Sequence, residues 1–159
     1  MIKLFLLVLF VIVTISCNNT PASVPERTFP EMKIGVQQMM DSVSKDILTN
    51  GPTRWLYYFE NSTNFFMVND GKLVFPNYKS AVAFVNDTLS KMITHVHLEW
   101  KDVVMDSIAL SSINVHTSYH EDLTTTNKNI LHEDGYCTAV LDYKSSGWKF
   151  RNLHWSSIK

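Results

Sequence analysis

The stretch Gly147-Trp148-Lys149-Phe150-Arg151-Asn152-Leu153-His154-Trp155-Ser156-Ser157, entered from Ser145-Ser146, reads as a closing β-strand. Successive side chains of a strand point to opposite faces. Strict alternation puts Trp148, Phe150, Asn152, His154 and Ser156 on one side and Lys149, Arg151, Leu153 and Trp155 on the other. The first set turns from apolar to polar along its length, the pattern of a strand that starts in a core and ends at the rim of a cavity. Asn152 and His154 are then expected to face that rim, with Leu153 and Trp155 on the outer face.

Upstream of this strand lie three more long segments rich in Val, Ile, Thr, Trp and Tyr: Ile93 to Asp106, Ile108 to Asp122 and Leu131 to Tyr143. With the closing strand they predict a four-stranded antiparallel meander. The Thr- and Asn-rich segment Leu123 to Asn129 reads as a long hairpin loop. Before the meander, Glu31 to Leu48 carries Ile34, Val36, Met39, Met40, Val43, Ile47 and Leu48 at close to helical spacing, and Asn50-Gly51-Pro52 ends it. A short helix from Pro52 through Phe59 presents Trp55, Leu56, Tyr58 and Phe59. Asn64 to Val68 and Lys72 to Phe75 flank the hairpin signal Asn69-Asp70-Gly71. A further amphipathic helix runs from about Asn77 to Met92. Helices followed by long strands indicate an α+β domain with helices against one face of a curved sheet.

The chain begins differently. Lys3 precedes an apolar run from Leu4 to Val13, shorter than the ~20 residues that a transmembrane helix needs. Thr14-Ile15-Ser16-Cys17 resembles a bacterial lipoprotein signal, in which a small residue precedes the cysteine that is lipidated, although Thr14 stands where that pattern usually has Leu. This divides the chain into a signal peptide (1–16), a lipidated Cys17 with a flexible tether (17–30), and a folded domain (31–159). The expected location is the bacterial cell envelope, on the periplasmic or outer-membrane side, with Cys17 the lipidation site that holds the protein on a lipid membrane. Ordinary secretion, with Cys17 a bystander, is the alternative. Lipidation would leave Cys137 without an intramolecular partner, and Cys137 reads as a buried, inert thiol.

With 159 residues, 45% of them hydrophobic, the chain is long enough for one domain with its own core. A formal net charge of −1 without runs of like charge gives no reason to expect a nucleic-acid partner.

The order helix, helix, short hairpin, helix, four long strands, ending in Gly147-Trp148-Lys149-Phe150 and then His154-Trp155-Ser156, resembles the nuclear transport factor 2-like superfamily, and within it the SnoaL-like domains. The hairpin Val68-Asn69-Asp70-Gly71-Lys72-Leu73 before a helix fits the same resemblance, which covers about Glu31 to Ser157. It implies a cone-shaped barrel, also known as cystatin-like, whose sheet wraps the long helix and leaves a pocket at the open end. It does not fix an activity, because the superfamily holds isomerases, cyclases, dehydratases and binding domains. Its ketosteroid isomerases use a carboxylate base near the first hairpin. Here Phe65-Phe66-Met67-Val68-Asn69 offers no acid before Asp70, which argues against that route.

The histidines are the other candidates. His95 and His97 share a strand face with Glu99, His116 shares a parity with His120, and His154 lies on the closing strand. None of these spacings is a specific metal signature, so no metal is assigned, and no cofactor is implied. General acid/base work by a histidine oriented by Glu99 or Glu121 is conceivable, with His154 the candidate catalytic residue; its structural alternative is a hydrogen bond at the rim. The preferred expectation is a non-catalytic site for a small, partly apolar ligand, lined by Trp55, Tyr58, Phe59, Phe66, Trp100, Tyr119, Asn152 and His154. The alternative is a homodimeric interaction module using Leu153 and Trp155, and an enzyme is third.

Overall fold

The computed structural model describes residues 27–158. The signal peptide, Cys17 and most of the tether lie outside the described residues. Helix α1 (Phe29–Asn50) begins two positions before the expected start, with Pro30 in its first turn and the Thr28 amide donating to Glu31 Oε2 at 2.8 Å. Its buried stripe is Met32, Val36, Met39, Met40, Val43 and Ile47. Ile34 and Leu48, expected on that face, are exposed because they sit off this spacing. Gly51, at φ 82°, ends the helix with its amide on Ile47 O. A 3₁₀ turn (Pro52–Arg54) then leads into the short α2 (Trp55–Tyr58).

Strands β1 (Phe66–Asn69) and β2 (Lys72–Phe75) form the expected hairpin, with Asp70 and Gly71 both at positive φ. Asn77 caps α3 (Tyr78–Phe84) by accepting from the Ser80 amide, and a π-helical turn (Val85–Leu89) joins α3 to the short α4 (Ser90–Met92). The meander consists of β3 (Ile93–Ala109), β4 (Ser112–Thr125), β5 (Ile130–Lys144) and β6 (Gly147–Ser157). Two expected boundaries move. The first turn of the meander is at Leu110-Ser111 rather than near Ser107, and β4 runs on through Leu123 to Thr125, because these residues continue the ladder opposite Leu131 and Ile130. The expected long loop is thereby reduced to residues 126–129.

The sheet order is β2-β1-β6-β5-β4-β3, with β1 parallel to β6 and every other pairing antiparallel. The barrel is therefore an unclosed, curved sheet with edges at β2 and β3. It holds α1 in its hollow, and the Trp100 Nε1–H donates to Met40 O at 3.1 Å, tying β3 to the helix. A bulge between Lys101 and Val104, with Asp102 at φ 52°, bends β3.

A second bulge changes the reading of β6. Leu141 pairs with Phe150 but Val140 pairs with Asn152, so Arg151 is the extra residue. Alternation restarts after it. Trp148 and Phe150 face the core as expected; beyond the bulge Leu153 and Trp155 face inward, at 1% and 6% exposure, while His154 is exposed. The outer apolar patch expected of Leu153 and Trp155 is therefore absent, because both side chains are core.

Candidate functional site

A cavity of about 430 Å³ opens between the inner face of the sheet, the first hairpin and the third helical segment. Trp55 and Phe59 come from α2 and its exit; Met67, Asn69, Val74 and Phe75 from the hairpin; Phe84, Val85 and Leu89 from α3 and the π-helical turn; and Leu153 and Trp155 from β6. Strands β1, β4 and β6 each reach the cavity through one parity. Parallel register pairs Met67 with Leu153 and Asn69 with Trp155, so the residues that alternate with them, Phe66 and Val68, go outward with Asn152 and His154.

Trp155 is the hub of the aromatic wall. Its ring centroid lies 5.7 Å from Trp55, 5.6 Å from Trp100 and 4.7 Å from Tyr119. Trp55 also stacks on Phe59 at 5.8 Å, and Phe59 on Phe65 at 4.8 Å. Such aromatic pairs add about 0.5–1.5 kcal/mol each beyond area burial, so the wall is a rigid surface.

The expected site residues separate into three groups. Trp55 and Phe59 line the cavity. Trp100 and Tyr119 stand behind it, packed on Trp155. Tyr58, Phe66, Asn152 and His154 are elsewhere. Tyr58 donates to Asp46 Oδ2 at 2.7 Å and lines a separate groove beside α1. Asn152 Oδ1 accepts from the Val140 amide at 3.3 Å, and Phe66 is 40% exposed. No described histidine lines the cavity, so His154 has no access to a ligand held there. Glu99 and His120 are cross-strand partners on the outer face, whereas Glu121 points inward and so orients no imidazole.

Two acids complete the cavity. Glu121 on β4 and Glu133 on β5 are direct cross-strand partners, and both line it. Glu133 Oε1 accepts from the Tyr119 hydroxyl at 2.6 Å and the Ser157 hydroxyl at 2.9 Å. Among the described residues no group donates to the Glu121 carboxyl. Burial first, then the facing charge of Glu133, pushes the Glu121 pKa up to about 7. Burial, followed by the bond to Glu133, raises the Tyr119 pKa, so Tyr119 remains a neutral donor. Asn69 adds an acceptor, its Oδ1 buried without a hydrogen-bond partner. On sequence alone Glu121 is offered only as a partner for histidine, and Glu133 is not singled out. The signal was present in the alternation: Ile113, Val115, Thr117, Tyr119, Glu121 and Leu123 share one parity of β4, so a single acid stands in an otherwise uncharged stripe.

Cys137 is buried, and burial pushes its thiol pKa up, leaving no thiolate for nucleophilic attack.

No protein-family model and no curated protein sequence matches the chain. Solved structures do resemble it. An NTF2-like superfamily protein from Salmonella enterica superposes with a TM-score of 0.62 at 16% identity, covering 82% of this chain and 90% of that one. A protein with a cystatin-like fold from Caulobacter vibrioides gives 0.63 at 16% identity, over 81% and 91%. Hexachlorocyclohexane dehydrochlorinase LinA-type3 from Novosphingobium barchaimii gives 0.64 at 9% identity, over 82% and 88%. At these identities the likeness is one of fold, and the fold of this chain is NTF2-like.

Proposed function

We propose that this chain is an envelope-anchored domain whose cavity binds a small, partly apolar molecule bearing an amine or hydroxyl. One observation carries the proposal: Glu121 is set in an aromatic cavity without a donor of its own, opposite a second carboxylate. Like charges directly opposite on one sheet face repel. A donor placed between Glu121 and Glu133 relieves that repulsion and satisfies an acceptor. Apolar walls with a few converging polar groups are the usual composition of a ligand site, and the volume falls within the ~300–1,000 Å³ typical of one. The envelope anchor rests on the leader of residues 1–16 and the Cys17 that follows it. A Cys17→Ala variant that stays in the membrane fraction would remove that part.

The test of the cavity is thermal unfolding of the purified full chain with matched aromatic amines, alcohols and carboxylates. Amines and alcohols are expected to raise the Tm, carboxylates are not, and Glu121→Gln is expected to weaken the amine response most. An equal response to carboxylates, or none to any compound, defeats the reading.

A second reading is favoured by the Glu121 pKa near 7, the range suited to a general base. A resembling solved structure is named a dehydrochlorinase, and proton abstraction from carbon in this cavity would fall to Glu121. Deuterium exchange at an acidic C–H of a bound ligand, followed by NMR, distinguishes it from binding alone. If Glu121→Gln exchanges as fast as the wild type, this reading fails.

A further inference from the structure

The outer face of the same strands holds a second constellation, on the side of the sheet away from the cavity. Register places Asp122 between His97 on β3 and His132 on β5, and places His120 between Glu99 and Asp134. Two adjacent rows thus read His-Asp-His and Glu-His-Asp across three strands, so every imidazole lies beside a carboxylate. The contacts converge on one oxygen. Asp122 Oδ1 lies 2.6 Å from His132 Nδ1 and 3.1 Å from His120 Nε2, and one ligating atom from each of the three residues lies within 4.8 Å of the other two.

From this convergence we infer a divalent transition-metal site in which His120, Asp122 and His132 are ligands and Asp134 is the positioning residue. Tetrahedral bonds of about 2.0–2.1 Å put ligand atoms roughly 3.4 Å apart, so an ion draws the set together by side-chain rotation alone. All three side chains are half-buried or exposed and free to make that adjustment. Asp134 Oδ1 lies 3.0 Å from His120 Nδ1. Accepting from Nδ1–H fixes the tautomer that leaves the Nε2 lone pair facing Asp122, the carboxylate-histidine-metal arrangement. His97 Nδ1, at 3.9 Å from Asp122 Oδ2, stands beside the remaining coordination position, which it or water can fill. Two imidazoles and one carboxylate suit zinc, cobalt or nickel better than calcium or magnesium, which favour all-oxygen shells. Sequence spacing could not show this, because His132 lies on a different strand from His120.

Titration of the purified full chain with Co²⁺, followed by d–d absorption and displaced by Zn²⁺, tests the inference. One equivalent per chain is expected. His120→Ala and His132→Gln should each weaken binding at least about 10-fold, and Asp134→Asn by about 10- to 100-fold. Gln at 132 can still hydrogen-bond to Asp122, so a loss there reports ligation and not surface order. His116→Ala and His154→Ala, exposed histidines on the same sheet but outside the cluster, should bind as the wild type does. No saturable Co²⁺ binding, or equal losses in the His116 and His132 variants, overturns the site. Neither outcome bears on the cavity, whose ligand is tested separately.

Discussion

Residues 119–122 and 132–135 lie on two paired strands and show two chemistries on the two faces of one sheet. Inward go Tyr119, Glu121, Glu133 and Gly135; outward go His120, Asp122, His132 and Asp134. Inside, two carboxylates oppose each other and burial raises the pKa of one. Outside, each carboxylate meets an imidazole, and the pKa of Asp122 is lowered, first by the hydrogen bond with His132 and further by the charges of His120, His132 and His97. The same carboxyl group has its charged form disfavoured in one environment and favoured in the other. What differs is water and the sign of the neighbour. An acid half-buried in an apolar cavity opposite another acid is relieved by a proton or a ligand, whereas an acid ringed by imidazoles suits a cation.

The largest test of which side is inside comes from adjacent residues. Trp155→Ala removes the hub of the aromatic wall and should destabilise by about 3–5 kcal/mol, whereas His154→Ala should stay within about 0.5 kcal/mol. Urea denaturation of both checks this. Equal effects would restore strict alternation through Arg151 and undo the face assignment of β6.

Next comes Gly135. A Cβ there would run into Ser156 O and lie 2.6 Å from the Tyr119 hydroxyl, so the Tyr119 ring lies over this strand because position 135 has no side chain. Gly135→Ala should cost about 1–3 kcal/mol through overpacking and displace the Tyr119 hydroxyl from Glu133. Asp134→Ala, one residue away on the outer face, should be nearly neutral in the absence of metal. Chemical denaturation in chelator compares the two.

Glu121→Gln separates the faces by pH. The folded pKa of Glu121 lies near 7, above its ordinary 4.5, so between those values the folded chain retains a proton that the unfolded chain has released. The resulting stability is complete below the unfolded pKa and is lost as pH rises through about 7. Gln does not ionise and escapes the loss. The variant should therefore exceed the wild type by about 1–3 kcal/mol at pH ~8 and lose that advantage at pH ~4. A constant difference across this range would show that Glu121 titrates alike in the folded and unfolded chain, with no raised pKa in the cavity.

The elements were legible in the sequence because hydrophobic period and turn chemistry are local. The helix positions Val36, Met39, Met40, Val43 and Ile47, the Asp70-Gly71 turn and the four strands all follow from residues near one another. The site was only half legible, because faces depend on register. Trp55 and Phe59 were identified by aromatic density on one short helix, but one bulge at Arg151 turned His154 out and Trp155 in. Alternation along a single strand cannot reveal such a bulge, since the extra residue is defined only by its partner strand. Glu133 escaped for the same reason: its significance is Glu121 across the ladder and Tyr119 above it.

The smallest effect belongs to the outer face and has the opposite sign. The folded pKa of Asp122 lies below the ordinary value, so its contribution is present above the unfolded pKa of about 3.8 and disappears as pH falls through the folded one. Asp122→Asn should thus be slightly less stable than the wild type near neutrality and equal to it in strong acid, a trend opposed to that of Glu121→Gln. The neutral-pH difference should shrink in high salt, because exposed ion pairs are screened, while the Glu121 profile, set by a half-buried carboxyl inside the cavity, should change less. Denaturation at two salt concentrations, in chelator, therefore tests the two faces against each other. If salt flattens both profiles alike, Glu121 is not shielded from solvent, and the cavity is wetter than its aromatic wall implies.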